Sequence, residues 1–242
     1  MKKLLSLSMV LALSVALLVG CNQQPATPST TYKDGTYVAV SDANDKGYMR
    51  AEVTVKDDKI ESVSLVGLDS LGLEKTEDYP YAEYHSAIVD LAEEMVNKNT
   101  WDVDSITGAT GTSEQSKQAV KRAMEKALVE PASSNQYFDG TFMAISEQND
   151  KGWTIAWVTI ENDKITDVKL VSTTAKQNDD GSTSFVRKDD SYPYPEYFEA
   201  IETLPEQFVA NNGTDIEGVT GATGTTEQAK DAVEQALAQA AR

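Results

Sequence analysis

The chain has 242 residues, 40% of them hydrophobic, which is enough for two units that each bury a core of their own. Lysine plus arginine number 21 against 39 aspartate plus glutamate, a formal net charge of −18, and this acidic balance argues against nucleic acid as a partner. A single cysteine and a single histidine exclude iron–sulfur clusters, Cys-x-x-Cys-His haem attachment, multi-histidine metal sites and a Ser-His-Asp triad in each of two repeats.

Lys2 and Lys3 precede an apolar run from Leu4 to Val19 that ends in small residues, the pattern of a secretory signal. It is shorter than the ~20 residues of a membrane-spanning helix. Leu18-Val19-Gly20-Cys21 resembles a bacterial lipobox. That resemblance implies cleavage before Cys21, a diacylglyceryl thioether on its sulfur and retention on the outer face of a membrane, with enough acyl chain for stable anchoring. Cys21 is then an anchor to membrane lipid and not a catalyst. Removing residues 1–20 leaves 19 basic against 39 acidic residues, a charge of −20, consistent with solubility outside the cell. Asn22 to Thr31 is polar, contains prolines and has no apolar period, and reads as an extended tether.

Globular sequence begins near Tyr32 and is repeated. Tyr32-Lys-Asp-Gly-Thr-Tyr-Val-Ala-Val-Ser41 returns as Tyr137-Phe-Asp-Gly-Thr-Phe-Met-Ala-Ile-Ser146, and Asn44-Asp-Lys-Gly47 as Asn149-Asp-Lys-Gly152. Tyr79-Pro-Tyr-Ala-Glu-Tyr84 returns as Tyr192-Pro-Tyr-Pro-Glu-Tyr197. The offset grows between these landmarks, so the second copy carries an insertion near Gln177 to Ser182, expected as a longer surface loop. The expected organisation is a signal peptide (1–20), a lipidated cysteine and tether (21–31), a first domain (32–129), a linker (130–136) and a second domain (137–242).

Each copy opens with strand patterns at Thr36–Ser41, Tyr48–Val55 and Ile60–Val66, with Lys56-Asp-Asp-Lys59 as a turn mirrored by Glu161-Asn-Asp-Lys164. In the second strand Met49, Ala51, Val53 and Val55 alternate with Arg50, Glu52 and Thr54, giving one buried and one wet face. The second copy breaks this rule, because Trp153, Ile155 and Trp157 make its other face apolar as well. Additional core beneath the insertion, a domain–domain contact and a ligand-stacking surface all fit. Ile88, Leu91, Ala92 and Met95 then mark one helix, and Ala119, Val120, Ala123, Met124 and Ala127 a second. Segregated strands and helices predict an α+β fold in two tandem copies, each an antiparallel sheet packed with helices; no Gly-x-Gly-x-x-Gly follows a strand. His85 reads as a helix-surface residue.

The hexapeptide Thr-Gly-Ala-Thr-Gly-Thr occurs twice, as Thr107-Gly108-Ala109-Thr110-Gly111-Thr112 and as Thr220-Gly221-Ala222-Thr223-Gly224-Thr225. Thr112-Ser-Glu-Gln115 and Thr225-Thr-Glu-Gln228 fit a capping box, which places a helix start just after each Gly-Ala-Thr turn. A phosphate carried by Thr110 or Thr223 would there meet backbone amides and the positive helix end, a contribution of ~0.3–1 kcal/mol at an exposed terminus. No base, metal cluster or second nucleophile recurs beside these threonines, so attachment needs an external transferase.

Asp104-Ser-Ile-Thr-Gly-Ala-Thr110 resembles the flavinylation motif of the FMN-binding domain family, which includes subunits of the Rnf complex and the sodium-pumping NADH:quinone reductase. The resemblance covers nearly all of residues 32–242. It implies two covalent FMN groups, joined through phosphoesters to Thr110 and Thr223 and installed from FAD by a magnesium-dependent flavin transferase. It further implies recognition roles for Thr107, Gly108, Ala109, Gly111 and Thr112, for Thr220, Gly221, Ala222, Gly224 and Thr225, and for the acidic position Asp104. The second copy departs from the motif with Glu217 at that position, although Asp215 lies nearby. FMN supplies one- or two-electron chemistry while the protein tethers and positions it. The implied donor is a membrane quinol or NADH dehydrogenase system, and the implied acceptors are ferric iron, soluble flavins or extracellular reductases. Tyr81, Tyr84, Tyr194 and Trp157 are candidates for ring contacts. An extracytoplasmic reductase with its own small substrate and a cofactor-free binding lipoprotein stand as alternatives.

Overall fold

The computed structural model describes residues 30–242. The expected signal peptide, the lipidation site at Cys21 and most of the tether lie outside the described residues. Among those described, no helix is long and apolar enough to cross a membrane.

The first unit consists of β1 (Gly35–Val40), β2 (Tyr48–Lys56), β3 (Lys59–Leu68), α1 (Ala82–Lys98) and α2 (Thr110–Ala127). The second consists of β4 (Gly140–Ile145), β5 (Thr154–Glu161), β6 (Lys164–Gln177), β7 (Thr183–Arg187), α3 (Pro195–Asn211) and α4 (Thr223–Ala240). Each sheet is an antiparallel meander with its helices packed on it, in the order β1-β2-β3 and β4-β5-β6-β7. This is the tandem α+β architecture expected from the repeat.

Local chemistry explains the meanders. Asp57 and Asp58 have φ of 51° and 61°, and Asn162 and Asp163 of 50° and 62°. Two consecutive left-handed residues twist a two-residue hairpin in the sense the strands require, and Asp and Asn tolerate that region best after glycine. The turns are also tied from outside: Asp34 accepts the Asp57 N–H at 2.9 Å and Asp139 the Asn162 N–H at 2.7 Å. Helix α1 ends on left-handed Asn99, whose side chain accepts the Ile60 N–H at 2.7 Å; Asn212 does the same for Ile165 at 2.7 Å. One residue thus terminates a helix and fixes the start of a strand.

The alternation in β2 is observed: Met49, Ala51, Val53 and Val55 are buried and Glu52 is exposed. Their buried face meets Leu91 and Met95 of α1 and Ala119, Val120 and Ala123 of α2. The helix faces follow the expected period, although Ile88 and Ala92 lie at the margin of the core rather than within it.

The insertion is not a loop. Residues 173–177 of β6 pair antiparallel with β7, so the extra residues add a fourth strand that the polar tip Asn178–Ser182 merely caps. Thr183-Ser-Phe-Val-Arg187 has the β-branched and aromatic content of a strand, which the polar tip obscures in sequence. Phe185 from this strand packs against Trp153 with the rings tilted by 50° and 4.8 Å between centroids. The indole N–H of Trp153 donates to the Leu71 carbonyl of the first unit at 2.9 Å. Trp153, Ile155 and Trp157 therefore lie in a cluster that also contains Tyr48, Leu68, Leu71 and Leu73, combining inserted-strand core with domain–domain contact. Arg122 of α2, buried at 6% exposure, completes the junction. It donates to the Val40 carbonyl at 2.9 Å, to Asp42 at 2.6 Å and to the Asp139 carbonyl at 2.8 Å.

Candidate functional site: two threonines at helix N-termini

Both hexapeptides form the same structure. Gly108 and Gly221 adopt φ of 84° and 82°, a region that glycine enters without a Cβ penalty, and so reverse the chain into the helix. Ala109 and Ala222 are buried N-cap residues, and Thr110 and Thr223 are the first residues of α2 and α4, both exposed. The first intrahelical bonds run from Ser113 N–H to the Ala109 carbonyl and from Thr226 N–H to the Ala222 carbonyl, each 2.9 Å. The amides of Thr110, Gly111 and Thr112, and of Thr223, Gly224 and Thr225, precede those bonds and point out of the helix.

The capping box does not form. The helix starts two residues before Thr112 and Thr225, and no side chain caps either N-terminus, since alanine holds that position. Ser113 and Thr226 stabilise the turn from inside the first helical turn instead. The Ser113 hydroxyl accepts the Ile106 N–H at 2.9 Å and donates to the Ala109 carbonyl at 3.0 Å; Thr226 does the same with Val219 and Ala222 at 3.3 and 3.1 Å. The consequence for chemistry is a bare helix end. Nothing lies within 4 Å of a Cβ built on Gly111 or Gly224.

The other motif residues surround this end. Thr107, Thr220, Asp104 and Glu217 are exposed on the preceding loops, and Thr112 and Thr225 are half-buried. The Glu217 N–H is held by Gln207 at 2.9 Å, which fixes the loop of the second copy by a contact that acts on its backbone and not its carboxylate. Tyr81 donates its hydroxyl to the Gly108 carbonyl.

Beside Thr223 opens a cleft of about 650 Å³. Its walls include the Asn149–Gly152 turn, Thr173–Ala175, Lys188, Tyr192, Tyr194 and Tyr197, and it reaches Ala222 and Gly224 of the motif. Gly152, at φ 121°, allows the turn to approach β6, where a Cβ would meet the Thr173 carbonyl at 2.6 Å. Gln228 of α4 donates to the Gly152 carbonyl at 3.3 Å, as Gln115 of α2 does to Gly47 at 3.0 Å, tying each turn to its helix. Of the four aromatic residues singled out in sequence, Tyr194 lines the cleft and is 61% exposed, and Tyr81 sits on the motif glycine. Tyr84 is a core residue whose hydroxyl accepts the Gly67 N–H at 2.8 Å. Trp157 is 8% exposed and sits beneath Lys169 and Arg187, away from the cleft. His85 bonds the Tyr79 carbonyl from α1, and Phe198 stands at the equivalent place in the second unit.

Residues that sequence reasoning missed are Ser113 and Thr226, the two glutamines, and Lys75 and Lys188. The lysines lie four residues before each repeated Tyr-Pro-Tyr, so extending that repeat upstream was the available signal.

The tandem repeat of one fold agrees with comparison to known proteins. The FMN-binding domain model matches residues 46–125 and 151–238, and the chain belongs to that family; it is an FMN-binding flavoprotein. An uncharacterized protein of Treponema pallidum (strain Nichols) is 34% identical over 99 residues, which cover 41% of this chain and 24% of that one. The chain thus matches about a quarter of the length of that relative. The crystal structure of the CPE2226 protein from Clostridium perfringens is similar at 27% identity and a TM-score of 0.35, over 40% of this chain and 88% of that one.

Proposed function

We propose that the chain is an electron carrier holding two covalent FMN groups, one on Thr110 and one on Thr223. The observation that carries this reading is the exposed threonine at the first position of each helix, with three outward amides, its own and those of the next two residues, and a glycine with open space around it. A phosphoester there places the phosphate oxygens against the amides and the positive end of the helix dipole. The protein's own residues retain and orient the group, and bound FMN supplies the one- or two-electron chemistry. Attachment is from FAD by a separate flavin transferase.

Cys21 anchors the mature chain to lipid on the outer face of the membrane, with the tether spacing both units from it. This arrangement, with two such domains, resembles PplA-like lipoproteins of Gram-positive flavin-based extracellular electron transfer. Electrons then come from a membrane quinol or NADH dehydrogenase system and leave to ferric iron, soluble flavins or extracellular reductases.

Intact mass of the mature protein co-expressed with a flavin transferase tests the core of this proposal. Two FMN-minus-water increments are expected in wild type and one in each of Thr110→Val and Thr223→Val. An unmodified wild-type protein, with the transferase active on a control substrate, refutes it.

A further inference from the structure

In each unit a lysine rests on two tyrosine rings, and in the second unit it does so beside the motif. The Lys188 ammonium lies 4.1 Å from the Tyr192 ring centre and 4.4 Å from that of Tyr197, in the wall of the cleft beside Thr223. Lys75 occupies the equivalent place, 4.9 Å from Tyr79 and 5.6 Å from Tyr84. The backbone pins both arrangements to one strand residue. Ser172 accepts the Lys188 N–H at 2.9 Å and donates its own N–H to the Tyr197 hydroxyl at 3.2 Å. Gly67 accepts the Lys75 N–H at 2.8 Å and donates to Tyr84 at 2.8 Å. The inserted strand separates Ser172 from Lys188, yet the same pair of backbone bonds recurs. Neither lysine forms a salt bridge among the described residues.

Holding an ammonium this way is costly, since burial lowers the pKa of both Lys75 and Lys188. The tyrosine faces attract the cation without cancelling its charge. The Lys188 charge stays unpaired in a cleft wall that also carries Lys151 and the carboxylates of Asp150, Glu196 and Glu227, and so remains available to an anionic group. We infer that Lys188, and Lys75 in the first unit, are positioning residues that set the reduction potential of the FMN at Thr223 and Thr110. An isoalloxazine that takes up two electrons and one proton gains one negative charge. A fixed cation beside it favours the reduced form over the oxidised form and raises the midpoint potential. This inference rests on the proposed flavin sites, and the tyrosine pair is the device that keeps the lysine charged and in place.

The test uses the FMN-loaded protein in the Thr110→Val background, so that only the Thr223 site is read, with Lys188→Met and Lys188→Arg added separately. Spectroelectrochemical titration gives each midpoint potential. Lys188→Met is expected to weaken the preference for the reduced form at least tenfold, which for a two-electron couple is about 30 mV. Lys188→Arg keeps the charge and is expected to stay within threefold of its parent. Normal loading with a Lys188→Met potential within twofold of the parent overturns the inference. So does reduced loading with an unchanged potential in the loaded fraction, which assigns the lysine to phosphate capture. Absence of the covalent increment from every protein overturns the attachment reading instead. The lysine is then decided by titrating oxidised and reduced FMN separately, and no Lys188-dependent preference for the reduced form overturns it as well.

Discussion

Glycines at the second helical position separate a site built for stability from one built for access. Gly111 and Gly224 lie within α2 and α4 at ordinary helical φ, and an added Cβ at either meets nothing within 4 Å. Alanine is better than glycine in a helix by roughly 0.5–1 kcal/mol. The hydrophobic cluster crosses between the units and joins them into one cooperative body of about 210 residues, in which 1 kcal/mol corresponds to roughly 2–4 °C. Each of Gly111→Ala and Gly224→Ala is therefore expected to raise Tm by about 1–4 °C. The new methyl group tilts toward the helix N-terminus, over the outward amides of the proposed attachment site, so FMN incorporation at the neighbouring threonine is expected to fall. Gly108→Ala is the contrast. At φ 84° the left-handed backbone costs roughly 1–2 kcal/mol for an L-residue, although the Cβ itself would find Glu83 Cγ at a comfortable 3.7 Å. Gly221→Ala is expected to be worse, because Glu196 Cγ would stand at 2.9 Å. Thermal melts of the unmodified proteins and intact mass after co-expression measure both effects. A lower Tm for Gly111→Ala refutes the reading of its environment as open. A higher Tm with full incorporation refutes the argument that glycine keeps the helix end accessible.

Arg122→Met removes a guanidinium that serves two backbone carbonyls and Asp42 across the junction. Leaving those carbonyls without a donor is expected to cost about 2–4 kcal/mol in urea denaturation, and a loss under 1 kcal/mol would refute the junction as a stabilising element. Tyr84→Phe and Tyr197→Phe each strand one strand N–H, at Gly67 and Ser172, with an expected loss of about 1–3 kcal/mol by the same assay; no loss would show that these hydroxyls are dispensable. The pH dependence of the unmodified protein follows from buried lysines and tyrosines. Lys75, Lys126 and Lys188 have folded pKa values below the ordinary 10.5, mainly through desolvation, so the unfolded chain holds the extra protons and stability rises as pH climbs toward 10.5. Tyr48, Tyr84 and Tyr197 are raised above 10.0 by burial, so the unfolded chain loses protons first and stability falls beyond pH 10. Urea midpoints from pH 8 to 11 should pass through a maximum; Lys126→Met should be more stable than wild type at pH 8 and show a shallower rise.

The repeat, the antiparallel meanders, the helix faces and the positions of both motif threonines at helix starts were legible in sequence. Each is carried by local signals: consecutive Asp and Asn residues for hairpins, period-two and period-3.6 apolar spacing, and a Gly-Ala-Thr turn. What the sequence misplaced depends on contacts between distant segments. The capping box at Thr112 matched a pattern, but Ala109 is buried in the core, and packing moved the helix start back to Thr110 with Ser113 stabilising the turn. The insertion read as a loop because its polar tip is conspicuous, whereas Phe185 becomes strand by covering Trp153. The apolar second face of β5 fits three environments by sequence, and the fold covers it with Leu71 and Phe185. The lysine between two tyrosines was invisible for the same reason. The two tyrosines follow it by 4 and 9 positions, on a loop and a helix, and the lysine backbone and the second tyrosine are both pinned to one strand residue earlier in the chain. Sequence thus determined which segments take which local form and which threonines stand at the start of the second helix in each unit. Tertiary structure alone decided which side chains face the cleft, because that depends on the packing of segments whose separation along the chain carries no local signal.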